Sequence, residues 1–170
     1  LYFAAACMAV GPVASGDEPV YEGRALTSWL QDLAIGRYPD MEKHRNATQA
    51  IRAMGSDALP MLTDRLKVGA IPADEDADSI QDLHTLSALE ALGAEARPAI
   101  PDLIKLLAPA YDDARRSFSE PRARLCHRKS TAAANALRAM GDVSIPPLIE
   151  ALKSEKTSLR FGAAMALGNY

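Results

Sequence analysis

Ala88-Leu89-Glu90-Ala91-Leu92-Gly93-Ala94-Glu95-Ala96-Arg97-Pro98-Ala99-Ile100-Pro101-Asp102-Leu103 decides the fold of this chain. Its first six residues are an Ala-x-x-Ala-(Met/Leu)-Gly motif, which recurs at Ala50–Gly55, Ala136–Gly141 and Ala163–Gly168. Alanines three apart share a helical face, where small side chains let a second helix approach closely. Gly55, Gly93, Gly141 and Gly168 then end each helix, since glycine enters the left-handed cap conformation at little steric cost. Its last residues belong to a second motif, an aliphatic residue, Pro, any residue and Leu, with another Leu four positions on. This motif opens at Leu59-Pro60, Ile100-Pro101 and Ile145-Pro146. Pro60, Pro101 and Pro146 lack the N–H that a first helical turn leaves unpaired, and leucines four apart form an apolar stripe. Each unit therefore reads as a helix, a tight turn and a second helix.

Composition agrees. The 170 residues include 32 Ala and 20 Leu against 5 Val and 6 Thr, stock for helices and poor in strand-formers. A 48% hydrophobic and 24% charged content with net charge −3 fits one folded domain, and it excludes disorder and a multi-span membrane protein. A pI near 5.6 supplies no global pull toward nucleic acid or anionic membranes.

The repeats resemble HEAT-type repeats, particularly the bilin-lyase-like (PBS lyase HEAT-like) subclass, and Gly93 to Pro101 fits that pattern best. The resemblance runs from about residue 21 to 168 and implies an all-α fold, an α-solenoid in which antiparallel helix pairs form a right-handed superhelix. The expected organisation is a cropped signal peptide over 1–16, a linker and N-terminal capping helix over 17–40, and repeats over 41–67, 79–108, 121–153 and, partially, 157–170. Tyr21 to Leu33 resembles the lead-in of exported bacterial proteins that carry such repeats. Leu26, Trp29, Leu30 and Leu33 fall on one helical face, Thr27 is a candidate N-cap, and Trp29 is expected to anchor the end of the stack. The last unit has its first helix alone, so the sequence reads as cropped at both ends, with Leu159, Phe161, Met165 and Leu167 half covered.

The apolar run Leu1 to Val10 before Ala14-Ser15-Gly16 reads as the tail of a secretory signal, which places the chain outside the cytoplasm, periplasmic or secreted. The alternatives are a membrane anchor or lipid attachment at Cys7, and membrane contact is expected only if this segment is retained. The other cysteine, Cys126, reads as a small buried hydrophobe.

Gly55 to Gly93 is 38 positions, Gly93 to Gly141 is 48 and Gly141 to Gly168 is 27, and the surplus sits between units. The first insert, Lys67 to Ser79, holds Asp74, Glu75, Asp76 and Asp78; the second, Ala108 to about Lys129, holds Arg115, Arg116, Arg122, Arg124, Arg128 and Lys129. Connections of one kind recur on one edge of a solenoid, so an acidic and a basic insert should emerge side by side. Either they attract weakly across solvent, or they form a two-signed partner surface on which Tyr111 and Phe118 are anchors beside Arg115, Arg116, Arg122 and Arg124. Pro121 opens a long helix to Met140, about 30 Å at 1.5 Å per residue, whose first turns project the basic residues.

Catalytic patterns are missing from the sequence. HEAT-repeat hydroxylases pair His with Glu at matching places, whereas His44 is followed by Arg45, His84 by Thr85 and His127 by Arg128. Asp74, Asp76, Asp78 and Asp82 have an oxygen spacing similar to a calcium loop, but Ser79 replaces the turn glycine and Thr85 the closing Glu. Ser79 reads instead as a helix cap. The expectation is therefore a non-enzymatic, extracytoplasmic scaffold that binds another protein, with no metal and no cofactor. The alternatives are a bilin-lyase-like enzyme or chromophore binder, and a nucleic-acid binder, which Asp112, Asp113 and Glu120 among the arginines disfavour.

Overall fold

The left-handed glycines of the repeat set the architecture. In the computed structural model, which describes residues 18–33, 40–68, 77–108 and 121–168, Gly55, Gly93 and Gly141 have φ of 56°, 59° and 70°. Each opens a short 3-10 turn (Gly55–Ala58, Gly93–Ala99, Gly141–Ser144) that delivers the chain into a second helix with proline in its first turn. The three pairs are α2 (Met41–Met54) with α3 (Leu59–Val68), α4 (Ala77–Leu92) with α5 (Ile100–Lys105), and α6 (Pro121–Ala139) with α7 (Ile145–Ala151). They are preceded by α1 (Leu26–Asp32) and followed by α8 (Thr157–Leu167). The fold is all-α.

First helices pack in succession, α2 on α4, α4 on α6 and α6 on α8, while α3, α5 and α7 form a second row. Each second helix also lies against the first helix of the next unit, as α3 does on α4 and α7 on α8. The alanines set the spacing: Ala50, Ala88, Ala136 and Ala163 are all buried, so neighbouring helices meet over a side chain of one carbon. Ile51, Leu86, Leu89 and Leu137 of the first row and Leu62, Leu103 and Leu148 of the second fill the space between. Burying one such leucine contributes about 2 kcal/mol, so a continuous core of this length holds the helices without disulfides.

Leu26, Trp29, Leu30 and Leu33 of α1 are buried, as their spacing requires. Trp29 donates its Nε1 proton to the Tyr21 carbonyl at 3.2 Å, and the Arg24 guanidinium stands 3.8 Å over its ring. Arg24 is fixed there by the Asp32 carboxylate at 2.7 Å. These contacts come from a two-residue hairpin, β1 (Val20–Tyr21) paired with β2 (Arg24–Ala25), whose central residues Glu22 and Gly23 both have positive φ, as a type I′ turn requires.

Three expectations are corrected. Thr27 does not cap α1: the helix already begins at Leu26, and the Thr27 N–H donates to the Glu18 carboxylate at 2.6 Å, so a remote side chain serves as the cap. Ser79 does not cap α4, which starts at Ala77 and contains Ser79 in its first turn. Gly168 closes α8 with φ of −65°, still right-handed, because its N–H continues the helical ladder to Ala164 O at 2.9 Å. The long helix opened by Pro121 forms as the sequence suggests, over Pro121–Ala139.

A valine at Gly93 would occupy a left-handed backbone and place its Cβ 3.2 Å from the Ala139 carbonyl. Gly93→Val is expected to cost about 2 kcal/mol, whereas Arg115→Ala, in the charged insert between units, should leave stability unchanged within about 0.5 kcal/mol. Equal melting temperatures for the two variants would contradict these roles.

Candidate functional site

The most extensive helix–helix contact among the described residues joins α4 and α6, the helices that follow the acidic and basic inserts. Between the middle of α6 and the first half of α4, Lys129 Nζ meets Asp82 Oδ2 at 2.5 Å, with the two side chains only 8% and 17% exposed. The pair joins α4, three residues past the acidic insert, to Lys129 at the end of the basic one; Asp74, Glu75 and Asp76 lie outside the described residues. Shielding changes the energetics: the pair holds its geometry because each charge depends on the other for solvation lost on folding.

The turn of the α6 helix explains which basic residues face inward. Cys126, Lys129, Ser130, Ala133, Ala136, Leu137 and Met140 are buried at three- and four-residue intervals. His127, Arg128, Thr131 and Arg138 occupy the other side and are exposed. Cys126 is thus the small buried residue expected, and the Ser130 hydroxyl lies 3.5 Å from the Leu107 carbonyl. Of the candidate partner-binding residues, Arg122 and Arg124 fall in the opening turns of α6, Arg124 one turn ahead of exposed Arg128; only their backbone is described. Tyr111, Arg115, Arg116 and Phe118 lie outside the described residues.

The end of the stack that carries the glycines is tied by contacts the sequence did not announce. Arg52 Nε donates to the Ala91 carbonyl at 2.9 Å, so α2 satisfies a carbonyl in the last turn of α4, where a cation is also favoured by the helix dipole. The Glu95 carboxylate sits where a Cβ on Gly55 would stand, 2.8 Å away. The signal for Arg52 is its place as the third residue of the repeat motif, which by itself does not reveal a partner in the next unit.

Among the described residues no three His, Cys, Asp or Glu side chains gather as metal ligands would. Asp74 and Asp76 of the calcium-like spacing lie outside the described residues, and Asp82 is engaged by Lys129. His44 and His84 are half-buried and His127 is exposed. Burial, and then the charge of Arg65, hold the His84 imidazole below its ordinary pKa against an opposing hydrogen bond to the Leu33 backbone. No helix among the described residues is long and apolar enough to cross a membrane.

Residues 131–154 match the family model described as PBS lyase HEAT-like repeat. The matched stretch covers the C-terminal half of α6, the Gly141 turn and α7, a complete glycine-and-proline hinge. That unit is a HEAT-like repeat, and the two earlier helix pairs repeat its signature and its packing. Neither the comparison with curated proteins nor that with solved structures gave a match.

Proposed function

We propose that this array of HEAT-like repeats is a non-enzymatic scaffold that binds another protein along the edge where α4 and α6 begin. The observation that carries the reading is the Asp82–Lys129 pair. It ties the middle of α6 to the first half of α4, while His127 and Arg128, next to Lys129 in sequence, stay exposed. A rigid edge of this kind loses little conformational entropy on binding, and arginines interleaved with Tyr111 and Phe118 have the composition of interface hot spots. The partner's face is accordingly acidic. The apolar run Leu1 to Val10 followed by Ala14-Ser15-Gly16 supports placement outside the cytoplasm.

Affinity capture from the native extract after nuclease treatment, with an Arg115→Glu/Arg116→Glu control, tests the reading. The wild type is expected to retain a defined protein that the control loses, and a twofold rise in salt should weaken the complex through screening. Capture of nuclease-sensitive material alone points to nucleic acid. Turnover of a substrate by the purified protein, abolished by one polar substitution, or visible chromophore absorbance, overturns the scaffold assignment.

A further inference from the structure

His84 stands where three helices meet. It is half-buried on α4 between the buried Leu83 and Thr85, with Arg65 of α3 close enough for its charge to act on the ring. A hydrogen bond joins the ring to the backbone of Leu33, the buried residue that closes α1 in an extended conformation. That bond favours the protonated ring, so the imidazole donates and the Leu33 carbonyl, which has left the helical ladder, accepts. Other charges around α4 are engaged elsewhere. Asp32 of α1 is paired with Arg24 at 2.7 Å, and Arg52 of α2 donates to the Ala91 carbonyl near the far end of α4. Lys129 of α6 meets Asp82, about 200° around α4 from His84. His44, half-buried in the first turn of α2, is a second imidazole that acid would reach. Among the described residues the charge that bears on His84 is that of Arg65, and it has the sign of a protonated imidazole.

We infer that His84 is an acid-responsive latch, through which protonation of the ring releases the capping helix α1 from the first repeat. The uncharged ring suits the junction, because it needs little solvation and still donates to Leu33. A proton adds a charge that burial leaves poorly solvated and that Arg65 repels, and both penalties vanish once the junction opens to water. The element that yields is α1. It has seven residues, too few for a helix to persist without packing, and it lies at the end of the stack against α2 and α4. By contrast, α3 is tied at its start by the Gly55 turn and at Leu62 by the core. Burial and Arg65 hold the docked ring below its ordinary value near pH 6.5, so docking is fully supported above that pH and loses support as the pH falls below it. Release uncovers Leu26, Trp29, Leu30 and Leu33 together with the side of α2 and α4 that they cover. The latch thus governs whether this end of the array is closed or presents apolar surface, independently of what the basic edge binds.

Hydrogen exchange, corrected for the intrinsic effect of pH, reads the opening at the amides of residues 26–33 and at the indole N–H of Trp29, the chain's single tryptophan. Lowering the pH from about 7.5 to about 5.5 is expected to raise the opening constant there about threefold, while residues 121–151 keep theirs. His84→Gln, whose uncharged side chain can still donate to Leu33, should abolish the rise. Arg65→Gln should reduce it, by removing the repulsion without touching the hydrogen bond. His44→Gln should leave it intact. A rise that survives His84→Gln, equal opening along the whole chain, or a wild type that does not respond to pH overturns the inference.

Discussion

Asp82→Ala is expected to lower the unfolding free energy by about 3 kcal/mol and the melting temperature by about 6–10 °C. The change strands the Lys129 ammonium, which is 8% exposed and has little water to replace the carboxylate at 2.5 Å. Lys129→Ala should cost somewhat less, about 2 kcal/mol, because Asp82 at 17% exposure keeps more access to solvent and can be hydrated after a small rotation. Both numbers measure the penalty of an uncompensated charge rather than the worth of the pair. Replacing both residues together, as Asp82→Leu/Lys129→Met, removes both desolvation costs and should return stability to within about 1 kcal/mol of the parent. Denaturant melts of the three variants decide the matter. Single changes that each cost less than about 0.5 kcal/mol would mean that the pair is solvated in solution, and the α4–α6 edge would lose the rigidity that makes it a docking platform.

The repeat was readable because it rests on backbone constraints that only certain residues relieve. Gly55, Gly93 and Gly141 take positive φ, and Pro60, Pro101 and Pro146 stand in first turns, so two residue types at fixed offsets locate three hinges. The alanine stripe was readable for a similar reason, since few side chains let helix axes come so close. Where the sequence misleads, a second element supplies what the local residues do not. Thr27 has the chemistry of a cap, but the hairpin brings Glu18 to its N–H and starts the helix one residue before it. Gly168 shares the motif of the other three yet stays right-handed, so the motif alone does not produce the reversal.

The candidate edge was less legible, and the reason is helical phase. Arg128 and Lys129 are adjacent and alike in charge, but 100° of rotation separates them on α6: Arg128 points to solvent and Lys129 to Asp82. Spacing places the two in one basic segment without showing that only one is available to a partner. The buried run from Cys126 to Met140 fixes that phase, and it does so through contacts with α4 and α5 that lie far away in sequence.

Gly162→Ala sets two local effects against each other, and the structure decides the sign. Inside an exposed helix the change would add about 1 kcal/mol of stability through helix propensity. At Gly162 the new Cβ would stand 2.5 Å from the Leu107 carbonyl oxygen and 2.7 Å from its Cβ, closer than any relaxed contact. Leu107 cannot retreat, being 1% exposed and packed in the core. Relief therefore requires α8 to move off α5, which opens the seam that Ala163 and Ala166 close. Overpacking of this kind outweighs the propensity gain, and a net loss of about 2 kcal/mol is expected, read as a melting temperature lower by about 4–8 °C. Gly168→Ala is the matched control: φ is −65° there and the nearest atom to the new Cβ is 3.4 Å away, so stability should hold or rise slightly. A gain at Gly162 would show that α8 is not seated on α5 as described. The position also explains why register alone hides such sites. In the other units it is filled by Gln49, Ser87 and Asn135, residues that are exposed or half-buried. At Gly162, by contrast, α8 comes so close to Leu107, just past the end of α5, that a hydrogen is the largest substituent that fits.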